Sequence, residues 1–183
     1  MAEAAQKAGH EVTLLSGPVA LAPPKGCRVR PFVTVEELGD LLTEAFPQCD
    51  ALIMSAAVGD FTVADFAERK LPRSDGPITL RLVPTEDLLA AVGRTKRPEQ
   101  IIVAFAMEQG PKEATEARAR RKLQAKNADL IVLNNPSAMG AEASEACILS
   151  ADGVALPWSQ RSKEALAAEI VSLLSGPGIK ERC

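Results

Sequence analysis

The sequence predicts an α/β domain in which helices cover a mostly parallel β-sheet. Short apolar runs alternate with segments of helical spacing, which is the pattern of a layered α/β fold. Runs such as Ile101–Phe105 (I-I-V-A-F) lack polar alternation, as expected for strands covered on both faces. The 183 residues, 46% hydrophobic and 25% charged, suffice for one core. We expect one domain over residues 1–175 and a flexible tail over 176–183.

Helix boundaries are indicated by capping residues. Thr34 with Glu37 three positions later forms a capping box, and Thr85 is the expected N-cap of a later helix. Gly9 is the expected C-terminal cap of the first helix. The predicted helices cover Ala2–Ala8, the segment after Thr34 to Phe46, Glu86 to about Gly93, Lys112–Lys126, and a last helix with Leu166, Ile170, Leu173 and Leu174 on one face.

Strands are predicted between these helices, and a hairpin is predicted around Asp152-Gly153. Ligands of parallel sheets collect at the carboxyl ends of the strands, which here are residues 55–61, 105–109 and 134–137. The predicted strands cover Glu11–Ser16, Cys27–Val33, Asp50–Ser55, Ile78–Val83, Ile101–Phe105 and Leu130–Leu133, and the hairpin pairs Cys147–Ser150 with Val154–Pro157.

Composition excludes several classes of function. A net charge of −3 gives no basic field for nucleic acid, and no apolar run is long enough to cross a bilayer. We therefore expect no nucleic-acid or membrane partner and a cytoplasmic location. The single histidine, His10, rules out a Ser-His-Asp or Cys-His system, and four cysteines without a C-x-x-C pair favour reduced structural thiols over zinc.

The segment Ser55–Asp60 (S-A-A-V-G-D) follows a predicted strand. Its small side chains allow a flat ring or a phosphate to approach the backbone, and Asp60 can accept hydrogen bonds from a ribose. The same residues also suit close packing, with Asp60 in a turn. Both interpretations remain open on spacing alone.

Cations lie in a loop and along a helix. Lys70 is in a polar, irregular stretch, where it can close over phosphates or remain a solvated charge. Arg118, Lys122 and Lys126 are four residues apart and form one basic row. The row can bind a triphosphate or stabilise the helix C-terminus.

Two residues at the end of a predicted strand also have alternative roles. Phe105 can stack on a base or belong to the core. Glu108 can bind Mg²⁺ or face solvent.

A series of short motifs occurs in a fixed order. In this order and spacing the chain resembles the phosphopantothenoylcysteine synthetase (phosphopantothenate–cysteine ligase) domain, the C-terminal half of the bacterial bifunctional coenzyme A biosynthesis protein. The motifs are A-A-V-G-D-F at 56–61, Lys70, T-E-D-L-L at 85–89, V-A-F-A-M-E at 103–108, K-L-Q-A-K-N-A-D-L-I at 122–131, L-N-N-P-S at 133–137 and S-K-E-A-L-A at 162–167.

The resemblance implies a Rossmann-like three-layer fold with a mostly parallel sheet and a small C-terminal hairpin, truncated at its N-terminus. It also implies that CTP, with Mg²⁺, activates the carboxylate of 4'-phosphopantothenate as an acyl-cytidylate, from which the cysteine amine displaces CMP. A homodimer, and a fused or separate flavin-dependent decarboxylase, are the implied partners.

The resemblance assigns roles to individual positions. Asp60 would hold the ribose, Phe105 would pack on the cytosine, and Lys70 would be the catalytic lysine of a mobile loop. The remaining implied nucleotide contacts are Met54, Ser55 and Ala56 through their backbone, Glu86, Asp87, Leu88 and Leu89 at a helix N-terminus, and Lys122 and Lys126. No protein ligand for a metal is implied.

The chain departs from the family pattern at the phosphate end of the implied site. The initial strand and the Gly-rich I-S-N-x-S-S-G-x-M-G loop have no counterpart in the sequence, so impaired or absent activity is expected from these residues alone. Glu86 replaces a proline and puts an acid near the implied phosphates. Two other functions stay open: a non-catalytic remnant that binds nucleotide or only dimerises, and a Rossmann-type oxidoreductase, whose glycine fingerprint the sequence lacks.

Overall fold

The computed structural model describes residues 1–65, 77–136, 140 and 143–174. Its helices are α1 Ala2–Lys7, α2 Val35–Ala45, α3 Leu88–Thr95, α4 Lys112–Ala125 and α5 Lys163–Leu174, and a 3₁₀ turn covers Phe46–Gln48. Its strands are β1 Thr13–Ser16, β2 Arg28–Pro31, β3 Ala51–Met54, β4 Phe61–Val63, β5 Leu82–Pro84, β6 Ile101–Met107, β7 Leu130–Asn134, β8 Ala143–Ser150 and β9 Gly153–Ser162.

The central sheet is mixed, with the order β3-β6-β7-β8-β9 within the described residues. Strands β3, β6 and β7 are parallel, whereas β8 and β9 each pair antiparallel with the strand before them. The α/β class is confirmed, but the predicted mostly parallel sheet is not what these five strands form. The predicted hairpin is longer than expected and belongs to the main sheet, because residues 146–150 of β8 pair with all five residues of β7.

Two further strand pairs lie outside the central sheet. Strands β1 and β2 form a parallel pair, and β4 and β5 form an antiparallel ribbon. The prediction of a strand over Ile78–Val83 was wrong in extent, because the observed strand is Leu82–Pro84. Its partner β4 spans only Phe61–Val63, which limits how far the ladder can run.

Capping residues determine several helix ends as predicted. The Thr34–Glu37 capping box is formed in both directions, and Gly9 follows α1 with φ of +88°. The N-cap of α3, however, is Asp87 and not Thr85, and its carboxylate accepts a hydrogen bond from the N–H of Ala90. An ionised Asp is a favourable N-cap because it also faces the positive end of the helix dipole.

The core lies on both faces of the central sheet. One face packs against α2, α3 and α4 through alternate residues such as Ile102 and Ile131, and the other packs against α5 through Val103 and Val132. Cys147 is fully buried in the first cluster, and burial raises the pKa of its thiol to about 12. The described cysteines are all free. Among the described residues, no helix has the length and apolarity needed to cross a membrane. The predicted tail lies outside the described residues.

Candidate functional site

A cleft of about 280 Å³ opens where β3 and β6 end, beside the first turn of α3. We call it the polar cleft. Nine of the predicted site residues line it, namely Met54, Ala56, Asp60, Glu86, Asp87, Leu88, Leu89, Phe105 and Lys126. Ala57, Val58, Gly59 and Thr85 complete its wall. Residues that are distant in the sequence thus converge on one concave surface at the carboxyl edge of the sheet, where ligands of α/β folds bind.

The turn after β3 is held by Thr85. The Thr85 hydroxyl donates to the carbonyl of Gly59 at 2.5 Å, and its backbone N–H donates to the carbonyl of Asp60 at 2.9 Å. These bonds fix residues 59 and 60 against the segment before α3. The carboxylate of Asp60 is exposed and, among the described residues, has no partner that would occupy it.

The N-terminus of α3 is already capped by a side chain of the protein. Lys126 Nζ lies 2.9 Å from each carboxylate oxygen of Asp87, which also accepts from the N–H of Ala90 at 3.1 Å. Partial burial raises the pKa of Asp87, but the hydrogen bonds from Lys126 and Ala90 outweigh burial and lower this pKa below its usual value. A ligand phosphate would therefore meet an ionised carboxylate at this helix end.

Lys126 reaches Asp87 because α3 and the end of α4 approach closely. Asn127, which follows α4, adopts φ of +48° and donates through Nδ2 to the carbonyl of Gly93 at 2.9 Å. A β-carbon on Gly93 would lie 2.0 Å from the carbonyl oxygen of Lys126. Only glycine at position 93 permits this approach.

Glu108, directly after β6, forms a second charged cluster. Arg118 Nε lies 2.6 Å and Lys122 Nζ 2.7 Å from its carboxylate oxygens, and the Glu108 side chain is only 12% exposed. Partial burial raises the pKa of Glu108, but hydrogen bonds from Lys122 and Arg118 lower it overall. Glu108 therefore neither faces solvent nor is free for a metal, and it holds two members of the basic row.

The polar cleft carries more negative than positive charge among its described residues. Asp60, Glu86 and Asp87 line it with Lys126, and Glu86 is paired at 3.3 Å with Arg94, which lies outside the cleft. This distribution favours a neutral nucleoside over a triphosphate. The described residues include no group of three or more His, Cys, Asp or Glu side chains that could hold a metal ion.

The residues of the chain match one protein family over almost their whole length. The family model described as the DNA/pantothenate metabolism flavoprotein C-terminal domain matches residues 1–176. The chain belongs to this family.

Relatives of known function and structure support the assignment. A coenzyme A biosynthesis bifunctional protein CoaBC from Bacillus subtilis is 42% identical over 144 residues, which cover 77% of this chain and 34% of that protein. A cysteine/cysteine sulfinic acid decarboxylase from an unknown prokaryotic organism is 36% identical over 176 residues, 93% of this chain and 48% of that protein. The chain thus spans about half the length of these relatives or less.

The fold agrees with a solved member of the family. The C-terminal domain of a coenzyme A biosynthesis bifunctional protein CoaBC superposes with a TM-score of 0.74 at 27% identity, covering 95% of this chain and 79% of that one. The flavoprotein C-terminal domain is therefore both the sequence family and the fold of this chain.

Two described residues predicted for the site, Ser55 and Lys122, do not line the polar cleft. Ser55 lines a separate apolar cavity between β1 and β3, and Lys122 is held by Glu108. Lys70 lies outside the described residues. Phe105 packs against the core cluster beneath α5 and also lines the polar cleft, so its core role is confirmed, whereas stacking on a base stays a prediction.

The sequence did not reveal two residues, Thr85 and Gly93, that position other residues of the site. Thr85 was interpreted as a helix cap although it fixes the turn, and Gly93 received no role. A larger open cavity of about 1090 Å³ lies between α2 and α3, but among its described lining residues just two, Glu86 and Leu88, belong to the predicted set. The polar cleft is the better candidate because its backbone turn, aromatic ring and charged pair converge.

Proposed function

We propose that this chain forms the nucleoside end of the active site of a phosphopantothenate–cysteine ligase that uses CTP. The observation that carries the proposal is the convergence of nine predicted residues on the polar cleft. The family membership and the CoaBC relatives support the same reaction. The chain spans less than half the length of these two relatives, and the complete ligase activity is part of the proposal.

The reaction forms an amide in two steps. The carboxylate of 4'-phosphopantothenate attacks the α-phosphate of CTP, pyrophosphate leaves, and an acyl-cytidylate forms. The amine of cysteine then attacks the acyl carbon, loses a proton, and CMP leaves. Positioning of the three reactants and stabilisation of the developing negative charge would supply most of the acceleration.

We assign the described residues to the nucleoside. Asp60 accepts hydrogen bonds from the ribose hydroxyls, Phe105 packs on the cytosine, and the backbone of Met54, Ser55 and Ala56 follows the edge of the base. Lys126 contacts the nucleotide while it remains paired with Asp87. Glu86, Leu88 and Leu89 complete the wall of the nucleoside site. The exposed carboxylate of Asp60 and the exposed turn support these roles.

Binding of the triphosphate requires cations in addition to Lys126 of the polar cleft. The excess of acids in the polar cleft supports binding of CTP as its Mg²⁺ complex, in which the metal neutralises the phosphates. The described residues offer no set of protein ligands for a resident Mg²⁺. Lys70 is the proposed catalytic lysine, and Lys122 would contact phosphate only if it left Glu108.

Three further proposals concern the whole protein. We propose a homodimer and a cytoplasmic location. We also propose a flavin-dependent decarboxylase as a fused or separate partner, which the similarity to a cysteine/cysteine sulfinic acid decarboxylase supports. A single-subunit mass in light scattering would contradict the dimer.

Binding and turnover are tested separately. Calorimetry with MgCTP should detect binding to this chain, and Asp60→Asn should weaken it about tenfold, since a hydrogen bond to a charged group is lost. Asp40→Asn, an exposed acid of α2, is the matched control. MgATP in a parallel titration measures the base preference.

Turnover is measured as pyrophosphate release with CTP, 4'-phosphopantothenate and cysteine, using a chain extended by the segment that precedes the matched region in the Bacillus subtilis relative. Release that depends on all three substrates is expected. Binding of CTP without pyrophosphate from the extended chain would indicate a binding remnant. Binding of NADH but not CTP would favour the oxidoreductase.

A further inference from the structure

Helix α3 is joined at its C-terminal end to the central sheet by one acidic side chain. Asp129, directly before β7, accepts a hydrogen bond from the N–H of Ile102 through Oδ2 at 2.7 Å, and its own N–H donates to the carbonyl of Ile102 at 2.9 Å. Lys96, the C-cap of α3, places its Nζ 2.7 and 2.8 Å from the two carboxylate oxygens of Asp129. The sheet therefore fixes Asp129, and Asp129 holds the end of α3.

The pair of Lys96 and Asp129 is shielded from water. Their side chains are 10% and 21% exposed, whereas the side chain of Asp87 at the other end of α3 is 52% exposed. Salt screens a pair that is removed from solvent much less than an exposed pair. Loss of one partner would leave the other charge in the interior without compensation. The Lys96–Asp129 pair therefore keeps one geometry and can fix the position of a helix end.

The close contact at Gly93 lies between the two ends of α3 and can act as a pivot. The backbone of Lys126 packs against Gly93, whose carbonyl accepts a hydrogen bond from Asn127. At about 1.5 Å per residue, Lys96 lies about 4.5 Å from this pivot, and Asp87 lies about 9 Å away on the other side. A displacement of the Lys96 end is therefore about twice as large at Asp87. The 2.9 Å contacts of Asp87 with Lys126 would exceed hydrogen-bonding distance after a shift of about 1 Å.

We propose that Lys96 is a positioning residue of the nucleotide site: through Asp129 it sets the orientation of α3, and thereby the pairing of Asp87 with Lys126 in the polar cleft. Lys96 itself is not among the described residues that line this cleft. Misplacement of a positioned group by about 1 Å is sufficient to slow a reaction about a hundredfold. The effect on CTP rests on the proposed function, whereas the effect on Asp87 is measured without a nucleotide.

Two variants of the 183-residue chain remove the Lys96–Asp129 pair. Lys96→Met removes the charge and keeps an unbranched side chain, whereas Asp129→Asn keeps an oxygen for the N–H of Ile102 but presents its amide to Lys96. In both variants the NMR titration of the Asp87 carboxyl group should move to higher pH than in the parent, because Lys126 no longer holds this carboxylate in place. The affinity for MgCTP, measured by calorimetry, should fall about fivefold.

A double variant and a control separate positioning from a general loss of stability. Lys96→Met combined with Asp129→Asn should shift the Asp87 titration no further than the larger single variant does, because both substitutions remove the same contact. Ile170→Val is the control, since Ile170 is fully buried beneath α5, on the opposite face of the sheet from α3. This control should lower the urea midpoint and leave the Asp87 titration and the affinity for MgCTP unchanged.

Several results would overturn the proposal. An unchanged Asp87 titration in both single variants is one, and an equal shift in Ile170→Val is another. Additive shifts in the double variant would show that Lys96 and Asp129 act separately. A shifted titration with unchanged affinity, in a parent that binds MgCTP, would leave Lys96 with a structural role alone. A parent that does not bind MgCTP would contradict the proposed function instead, and the Asp87 titration would then decide whether Lys96 orients α3.

Discussion

Lys126, the residue that follows α4, holds Asp87, the N-cap of α3, with its Nζ 2.9 Å from both carboxylate oxygens. The pair joins two helices that are separated by one strand, β6, in the sequence. It also sets the charge at the helix end that faces the polar cleft, because it keeps Asp87 ionised. The cap, the salt bridge and the wall of the site are therefore one structural unit.

Replacement of the lysine should affect the site more than the fold. In Lys126→Met the pKa of Asp87 should rise toward its usual value, since the hydrogen bond that lowers it is lost. Affinity for MgCTP should fall about tenfold, because an unpaired carboxylate then faces the phosphates. The free energy of unfolding should fall by less than about 1 kcal/mol, as for other exposed pairs. NMR titration, calorimetry and urea unfolding measure the three effects.

Lys122→Met is the control for this variant. It removes a lysine from the same helix, but one that pairs with Glu108 outside the cleft. Its effect on the pKa of Asp87 should be negligible. Equal losses of CTP affinity in both variants would contradict a specific role for Lys126.

Glu108 should make stability depend on pH. Its pKa is lowered in the fold, so its contribution is complete above the unfolded pKa of about 4.3 and is lost as pH falls through the folded pKa. Glu108→Gln should therefore cost roughly 1–2 kcal/mol of unfolding free energy at pH 7, allowing for solvent screening of Arg118 and Lys122. The difference from the parent should shrink when urea unfolding is repeated at about pH 3.

The exposed Glu11 supplies the comparison for this pH effect. Glu11→Gln should leave the unfolding free energy unchanged within about 0.5 kcal/mol at both pH values. A Glu108→Gln penalty that persists undiminished in acid would show that packing, and not charge, is what Glu108 provides.

Local features of the fold could be predicted from the sequence because they depend on neighbouring residues. The capping box at Thr34 and Glu37 is one example, since its partners are three positions apart. The order and direction of the strands in the central sheet, by contrast, could not be predicted from neighbouring residues. Antiparallel addition of β8 to β7 depends on contacts across the sheet that no local pattern specifies.

The candidate site could be located but not detailed for the same reason. The small residues after β3 predicted a ligand site at the carboxyl edge of the sheet, and the polar cleft lies at that edge. The ion pairs could not be predicted, because Lys126 and Asp87 are 39 residues apart and Lys122 lies on the same face of the same helix. The tertiary structure alone determines which lysine forms an ion pair with which acid.

Gln100 should be among the residues most sensitive to substitution. Its buried Nε2 donates to the carbonyls of Phe46 at 2.8 Å and Cys49 at 2.7 Å, and its Oε1 accepts from the N–H of Arg97. Gln100→Leu would leave these buried groups without partners, at a cost of about 2–4 kcal/mol of unfolding free energy. Gln48→Leu, on the exposed side of the same turn, should change it by less than about 0.5 kcal/mol. Equal urea midpoints for the two variants would contradict this role.

Gly93 should be essential to the position of Lys126. A β-carbon there would overlap the backbone of Lys126, at 2.0 Å from its oxygen and 2.9 Å from its carbon, and backbone atoms cannot move aside cheaply. Gly93→Ala should therefore lower the unfolding free energy by roughly 1–3 kcal/mol, although alanine is the better helix former. The pKa of Asp87 should also rise in this variant, because the end of α4 must shift away from α3.

A substitution at a second helical glycine distinguishes the effect of this contact on stability from the effect of helix propensity. In Gly39→Ala the nearest atom to the new β-carbon is Leu88 Cδ2 at 3.1 Å, the end of a flexible side chain. That variant should stay within about 1 kcal/mol of the parent in urea unfolding, with an unchanged Asp87 titration. If Gly93→Ala matched Gly39→Ala in both measurements, the close approach of α3 and α4 would not be what positions Lys126.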